Sequence, residues 1–528
     1  MKRFASIVAI AALCAASLTA AADASGKRWW SHVEALANDA MKGRQTGSPE
    51  HRKAAEYVAA QFEKAGLKPA GVNGYLQPVT FDVRKIVESK SSLELVRNGR
   101  AERLTLGEDA FITLRVDPAP SVDAPLVFAG YGLTVPENHF DDLAGLDLKG
   151  KIIVTINGGP ESLPGNLRAH YGAAVERQTF LEKAGVIGLV TIQNPKTSDI
   201  PWPRTALSRF QESMSLADPS LVDMKSVKIA VTVNAAHADK WLAGSGHTIA
   251  ELLALADAGK PLPRFPLTAS LRAKATVERR QVESQNVVGV LPGSDPALKN
   301  EYVALSSHLD HLGVGEPIDG DAIYNGAMDD ASGIASLLDI AESMKESKTA
   351  LKRSLLFVAV TAEEKGLLGS RYFAAHPTVN ASALVADLNI DMYLPLYPMR
   401  LLTVYGLTES DLGDDVRRVA ASMKVEIQDD PAPQRNVFVR SDQYNFIRRG
   451  IPAVMIAFGY KKGSPEEGLE KAWLEHRYHA PSDDLTQPLD PTAAAAYNRF
   501  MLQLATMVAN DPARPHWKPG SFFKRFTS

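Results

Sequence analysis

The chain has 528 residues, 45% of them hydrophobic and 23% charged, with a formal net charge of −3. That length exceeds one ordinary core and predicts about two or three domains, in a composition ordinary for soluble globular protein. The small net charge, with no basic run interleaved with aromatics, excludes a nucleic-acid binder, which needs a strongly basic face.

Lys2-Arg3, the apolar stretch over 4–18 and the small residues Ala20-Ala21-Ala22 form the pattern of a secretory signal peptide, assigned to 1–22. The apolar run is short of the roughly 20 residues that span a bilayer, so no stable membrane anchor is expected after its removal. The expected location is periplasmic or secreted. Cys14, the single cysteine, lies inside this segment. A mature chain without a thiol has no disulfide, no thiolate nucleophile and no thiolate metal ligand. Any metal must be held by nitrogen and oxygen.

Over 29–66, Val33, Leu36 and Ala37, then Ala54, Ala55, Val58, Ala59 and Phe62, recur at helical spacing around a polar, Gly-rich connection. VTFDVRKI and SSLELVRN follow as strands. Proline clusters at Pro118 and Pro120 and at Pro261, Pro263 and Pro266 bracket four apolar runs, APLVFAGYGL, LKGKIIVTI, KAGVIGLVTI and VKIAVTV, separated by Gly-rich turns. The expectation is a strand-rich domain at 117–266, inserted into a larger domain made of 23–116 and 267–528. Beyond it, NVVGVLPG, EYVALSSH, SLLFVAVTAEE, ALVADLNID and IPAVMIAFG are near-continuous apolar runs alternating with helical patterns. One helix face is traced by Ile334, Leu337, Leu338, Ala341 and Met344. The predicted fold class is α/β, a mostly parallel mixed sheet flanked by helices.

Acidic residues and histidines crowd the ends of these strands. His308 and Asp310 follow one run, Glu363 and Glu364 a second and Asp391 a third, with Asp329-Asp330 before a helix and Tyr478-His479 far downstream. Functional groups of open α/β sheets gather beyond the carboxyl ends of the strands. Six carboxylates sharing one site would repel and take up protons unless cations sat among them. Each position alone has an ordinary reading: Asp329-Asp330 as a helix cap, Glu363-Glu364 as a solvated turn. The joint pattern argues for metal.

SSHLDHLG, NGAMDDASG, VTAEEKG, NIDMY and RYHAPSDD resemble, in order, the motifs of the co-catalytic di-zinc exopeptidases, a family of secreted bacterial aminopeptidases and glutamate carboxypeptidase. FAGYGL, LDLKGKIIV and KAGVIGLV resemble the protease-associated domain inserted in that family. The resemblance implies that His308, Asp329 and Asp391 hold one metal and Asp329, Glu364 and His479 a second, with Asp329 bridging. It implies Glu363 as general base, Asp310 as the carboxylate orienting His308 from behind, Tyr478 as donor to the oxyanion and Arg440 of RSD as an anchor for substrate. Gln443 stands where a histidine is expected after RSD, and Met328 where asparagine is commoner. Asp330 is left without an assigned role, a helix cap being its ordinary reading. His311 and His476 are set aside as ligands, because only His479 carries the Tyr-His-x-Pro-Ser-Asp context and short histidine pairs are weak signals.

Two dications balance the three ligand carboxylates and a bridging hydroxide, so the cluster would be neutral and could sit in a partly buried cleft. Imidazoles with carboxylates and no sulfur suit two Zn2+, with Mn2+ or Co2+ as substitutes. The implied activity is a zinc aminopeptidase acting on peptides. A glutamate carboxypeptidase-like enzyme is the alternative, disfavoured because 434–440 is not conspicuously basic. A catalytically silent, receptor-like module of the same fold is a third reading, and the intact Glu363 with its full ligand set argues against it.

Overall fold

The computed structural model describes residues 24–527; the expected signal segment 1–22, with Cys14, lies outside them. The chain divides into two compact units. One comprises the residues up to Val79 with Ser284–Pro431 and Ser441–Ser528, the other Thr80–Glu283 with Ala432–Arg440.

The first unit is α/β. Its strands β1 (Val277–Leu291, in this unit from Ser284 onward), β2 (Tyr302–His308), β3 (Ser354–Val360), β4 (Leu384–Asn389), β5 (Leu401–Tyr405), β6 (Glu426–Gln428) and β7 (Ala453–Phe458) run in the order β1-β3-β2-β4-β7-β5-β6. β2 is parallel to β3 and β4, β4 to β7, and β5 to β6. β1 is antiparallel to β3, and β5 to β7. Every residue of β3, β4 and β5 is buried. Helices on both faces leave such strands no polar side, hence the unbroken apolar runs in their sequences.

Helices pack on this sheet through the stripes their sequences show. Trp29, Val33 and Leu36 from the helix at 24–37 and Ala54, Ala55, Val58 and Phe62 from helix Pro49–Lys64 join one core. Helix Ser332–Ser347 contributes Ile334, Leu337, Leu338, Ala341 and Met344, all buried, each stabilising by about 1.5–3 kcal/mol for its larger apolar side chains. The register pairs His308 of β2 with Val360 of β3, and Ser306 of β2 with Asn389 of β4. Three neighbouring parallel strands therefore end together; His308 closes one of them, and the segments that follow the other two carry Glu363, Glu364 and Asp391.

The second unit contains an eight-stranded sheet in the order Arg100–Arg103, Ser92–Arg97, Arg264–Lys274, Ser121–Ala129, Ile152–Ile156, Gly188–Ile192, Ile229–Val233, Ala110–Ile112. The four runs read from the sequence form its parallel centre. The unit is wider than the expected 117–266. Strands Ser92–Arg97, Arg100–Arg103 and Ala110–Ile112, placed by the sequence in the preceding segment, pair into this sheet. The second proline cluster does not end the unit either: Pro266 lies inside Arg264–Lys274, where the pairing shifts register between Pro266 and Ser270, a place where a strand tolerates the missing N–H.

Candidate metal centre

His308 closes β2, and its ring is fixed by a hydrogen bond between Nδ1 and the backbone carbonyl of Asp310 at 3.0 Å. Its Nε2 points at Asp329 Oδ1, 3.1 Å away, and Asp391 Oδ1, 3.6 Å away. The other oxygen of Asp329 faces a second group. Oδ2 lies 3.3 Å from His479 Nε2, which is itself 3.2 Å from Glu364 Oε2. Asp329 thus turns one oxygen toward each of two ligand-type groups.

These groups fit metal rather than mutual hydrogen bonding. Asp329 Oδ2, Glu364 Oε1 and Asp391 Oδ1 are buried and have no hydrogen-bond partner, a costly condition for an anionic oxygen. The donor atoms converge to within 4.8 Å of one another in two sets, His308-Asp329-Asp391 and His311-Asp329-Glu364. Nitrogen and oxygen at such spacing suit zinc, whose ligands at about 2.0–2.2 Å stand about 3.3 Å apart in a tetrahedron.

The electrostatics call for positive charge among the carboxylates. Burial by itself would lower the His308 imidazole, but Asp329 and Asp391 hold it well above its ordinary range. His479 rises to about 10, the Glu364 and Asp329 carboxylates outweighing the burial that opposes them. Glu364 is held well below the usual carboxylate range: burial works against ionisation, and His479 and His311 overcome it. Glu363 behaves oppositely. Burial pushes its carboxyl well above the usual range, and Glu364 and Asp442 add to the rise against the pull of His308. Two adjacent glutamates therefore diverge, one favouring the anion and the other able to carry a proton.

A layer of buried polar groups holds the ligands. Ser441 Oγ donates to Asp391 Oδ2 at 2.6 Å, and Asn389 Nδ2 donates to Ser441 Oγ and to Gln443 Oε1. Gln443 thus has a structural task behind Asp391. Asp330 is more than a helix cap: it accepts from Gly333 N–H in the first turn of the helix, from Ser307 Oγ beside His308 and from Met392 N–H beside Asp391. It ties two strand ends to the turn that presents Asp329.

The carboxylate of Asp310 does not orient His308, contrary to expectation. Its Oδ1 accepts the backbone N–H of Glu363 at 3.0 Å and its Oδ2 accepts from Thr46 Oγ1 at 2.9 Å. The turn after β2 aims the Asp310 carbonyl, not its side chain, at the imidazole. Arg440 is held by an ion pair outside the cluster of ligand-type groups. It belongs to the second unit, where its guanidinium donates to Asp199 Oδ2 at 3.1 Å, with Arg435 on the same carboxylate. Tyr478 packs its ring against His479 at 4.0 Å and Trp473 at 6.5 Å between centroids. His476 is exposed at the end of helix Pro465–His476.

Three residues that the sequence left without a role reach the site. Asp483 accepts the N–H groups of Met328 and Asp329 at 2.9 and 3.1 Å; its place in the Tyr-His-x-Pro-Ser-Asp context was the available signal. Arg44, fully buried, donates to the carbonyls of Leu36, Leu309, Asn325 and Gly326, clamping the loops that present His308 and Asp329. His311 is fully buried beside Glu364, its Nδ1 2.8 Å from Oε1.

Residues 286–505 match the profile of Peptidase family M28. Over 232 residues the chain is 31% identical to probable leucine aminopeptidase 2 of Aspergillus fumigatus, covering 42% of this chain and 43% of that protein. A longer stretch of 368 residues is 24% identical to carboxypeptidase Q of Bos taurus, covering 68% of this chain and 64% of that protein. The chain thus spans about half the length, or less, of the fungal leucine aminopeptidases it matches. Among solved structures, the aminopeptidase from Aneurinibacillus sp. strain AM-1 superposes with a TM-score of 0.54 over 94% of this chain and 95% of that chain, at 21% identity. That likeness is one of fold.

Proposed function

We propose that this chain, whose residues 286–505 match the profile of Peptidase family M28, is a zinc-dependent aminopeptidase with two metal positions sharing Asp329. The observation that carries the two-metal reading is the division of the Asp329 carboxylate, Oδ1 toward His308 and Oδ2 toward His479. His308, Asp329 and Asp391 would hold one zinc and Asp329, Glu364 and His479 the other. When bound, the pair supplies Lewis acidity toward the substrate carbonyl and an acidified water.

The remaining chemistry falls to the side chains. Glu363, whose carboxyl burial raises and whose backbone Asp310 anchors, takes a proton from the attacking water and returns it to the departing amine nitrogen. The Tyr478 hydroxyl donates to the carbonyl oxygen as negative charge develops there. Peptides are the substrates. Export to the periplasm or medium is part of this proposal, supported by the segment from Lys2-Arg3 to Ala22; amino-terminal sequencing of the protein recovered from its producing cell checks it.

Carboxypeptidase action is the second reading, favoured by the longer alignment with carboxypeptidase Q. One panel decides between them. Peptides with free and acetylated amino termini are offered, and products are read by mass. Hydrolysis abolished by acetylation supports the aminopeptidase; release of carboxyl-terminal residues from acetylated peptides overturns it.

A further inference from the structure

We infer that His311 is a further protein ligand of the second metal position, which then offers two imidazoles and two carboxylates against one imidazole and two carboxylates at the first. This rests on the two-metal reading above and adds a residue to it. His311 has no solvent exposure, and neither ring nitrogen has a hydrogen-bond partner. A buried imidazole with both nitrogens unpaired is a costly arrangement unless something else binds it. Its Nδ1 lies 2.8 Å from Glu364 Oε1 and 3.8 Å from Asp329 Oδ2. The contact with Glu364 is short but lacks hydrogen-bond alignment, since both atoms remain unpartnered. With Asp329 and Glu364, His311 forms a set of donor atoms that all lie within 4.8 Å of one another, close enough to share one ion. The distances from His311 and His479 to the Glu364 and Asp329 oxygens, 2.8 to 3.8 Å, bracket the roughly 3.3 Å separating ligands around tetrahedral zinc.

The backbone holds the ring in place. His311 N–H meets the carbonyl of Arg44 at 3.4 Å. Its ring packs on Gly326, where a Cβ would come within 2.4 Å of it and where φ is +63°. Only glycine leaves room for the imidazole at that turn, the same turn that leads into Asp329. The chemistry that follows is an asymmetry: four protein donors retain one zinc firmly, while the His308 position, with three, is the more open and exchangeable.

The test is zinc retention by the purified full-length protein, dialysed against a graded chelator, in wild type, His311→Ala and His311→Gln. The wild type is expected to keep one zinc under conditions that remove the other. Loss of His311 should weaken the firmly held zinc by more than about 100-fold, beyond the roughly 10–100-fold cost of losing a group that only supports a ligand from behind. X-ray absorption on the wild-type enzyme carrying a single zinc needs no variant and should find two imidazoles on that ion. A single imidazole, or a weakening under ~10-fold in variants that fold, overturns the assignment of His311 while leaving the two-metal reading intact. A wild-type protein that takes up no zinc overturns both.

Discussion

Asp310 Oδ1 accepts the backbone N–H of Glu363 at 3.0 Å, while the carbonyl of Asp310 holds Nδ1 of His308 at 3.0 Å. One residue therefore serves two others through different atoms. Its main chain orients the His308 imidazole and its side chain holds the Glu363 backbone.

This division separates two effects by mutation. Asp310→Ala should retain zinc at the His308 position, because the carbonyl is untouched, yet lower kcat by roughly 10–100-fold as the Glu363 loop loses its anchor. KM should change little. Zinc content by mass spectrometry together with steady-state kinetics reads both, and loss of zinc in this variant would restore the carboxylate as the orienting group.

Glu363→Gln removes the proton carrier and no ligand. Zinc content should stay at the wild-type value while kcat falls on the order of 10²–10⁴-fold, the range associated with general acid–base catalysis. Near-wild-type turnover would exclude Glu363 from proton transfer.

Arg44→Met should destabilise the first unit by on the order of 3 kcal/mol or more, since it strands carbonyls of Leu36, Leu309, Asn325 and Gly326 that the guanidinium now satisfies. Burial already lowers this guanidinium to about 10, though nearby Asp483, Asp310 and Asp329 support its charge. Urea unfolding followed by fluorescence measures the change, and an unaltered midpoint would remove the clamp role.

Acid should destabilise the fold through two buried histidines, His32 and His51. Burial lowers His51 to about 3, helped by Arg44, and lowers His32 to about 4 against the pull of Glu342. Both values lie below the roughly 6.5 of an unfolded chain, so the unfolded chain binds more protons and stability rises with pH. Their contribution is fully present above about pH 6.5 and drains away as pH falls toward 4 for His32 and 3 for His51. They are worth on the order of 3 kcal/mol for His32 and 5 kcal/mol for His51. His51→Gln should flatten the dependence of the urea midpoint between about pH 6.5 and 4 relative to wild type; identical slopes would count against it.

The strands of the first sheet were legible because β2, β3 and β4 are covered on both sides, which forces apolar runs and makes polar residues at their ends conspicuous. His308, Glu364 and Asp391 could be found that way. The limits of the second unit could not, since Pro266 looked like a boundary yet sits within Arg264–Lys274, and since segment 432–440 joins the unit from far along the chain.

The sequence by itself determined which carboxylates and imidazoles stand at buried strand ends and in what order, and their crowding argues for cations because like charges at such ends repel. Only the tertiary structure decided which atoms meet. It gave Asp310's carbonyl to His308 and its carboxylate to Glu363, paired Arg440 with Asp199, and buried Arg44 and His311 against Gly326. These outcomes depend on backbone groups brought together from distant segments. Residue identity and spacing along the chain do not encode where a carbonyl or a vacant Cβ position will lie in space.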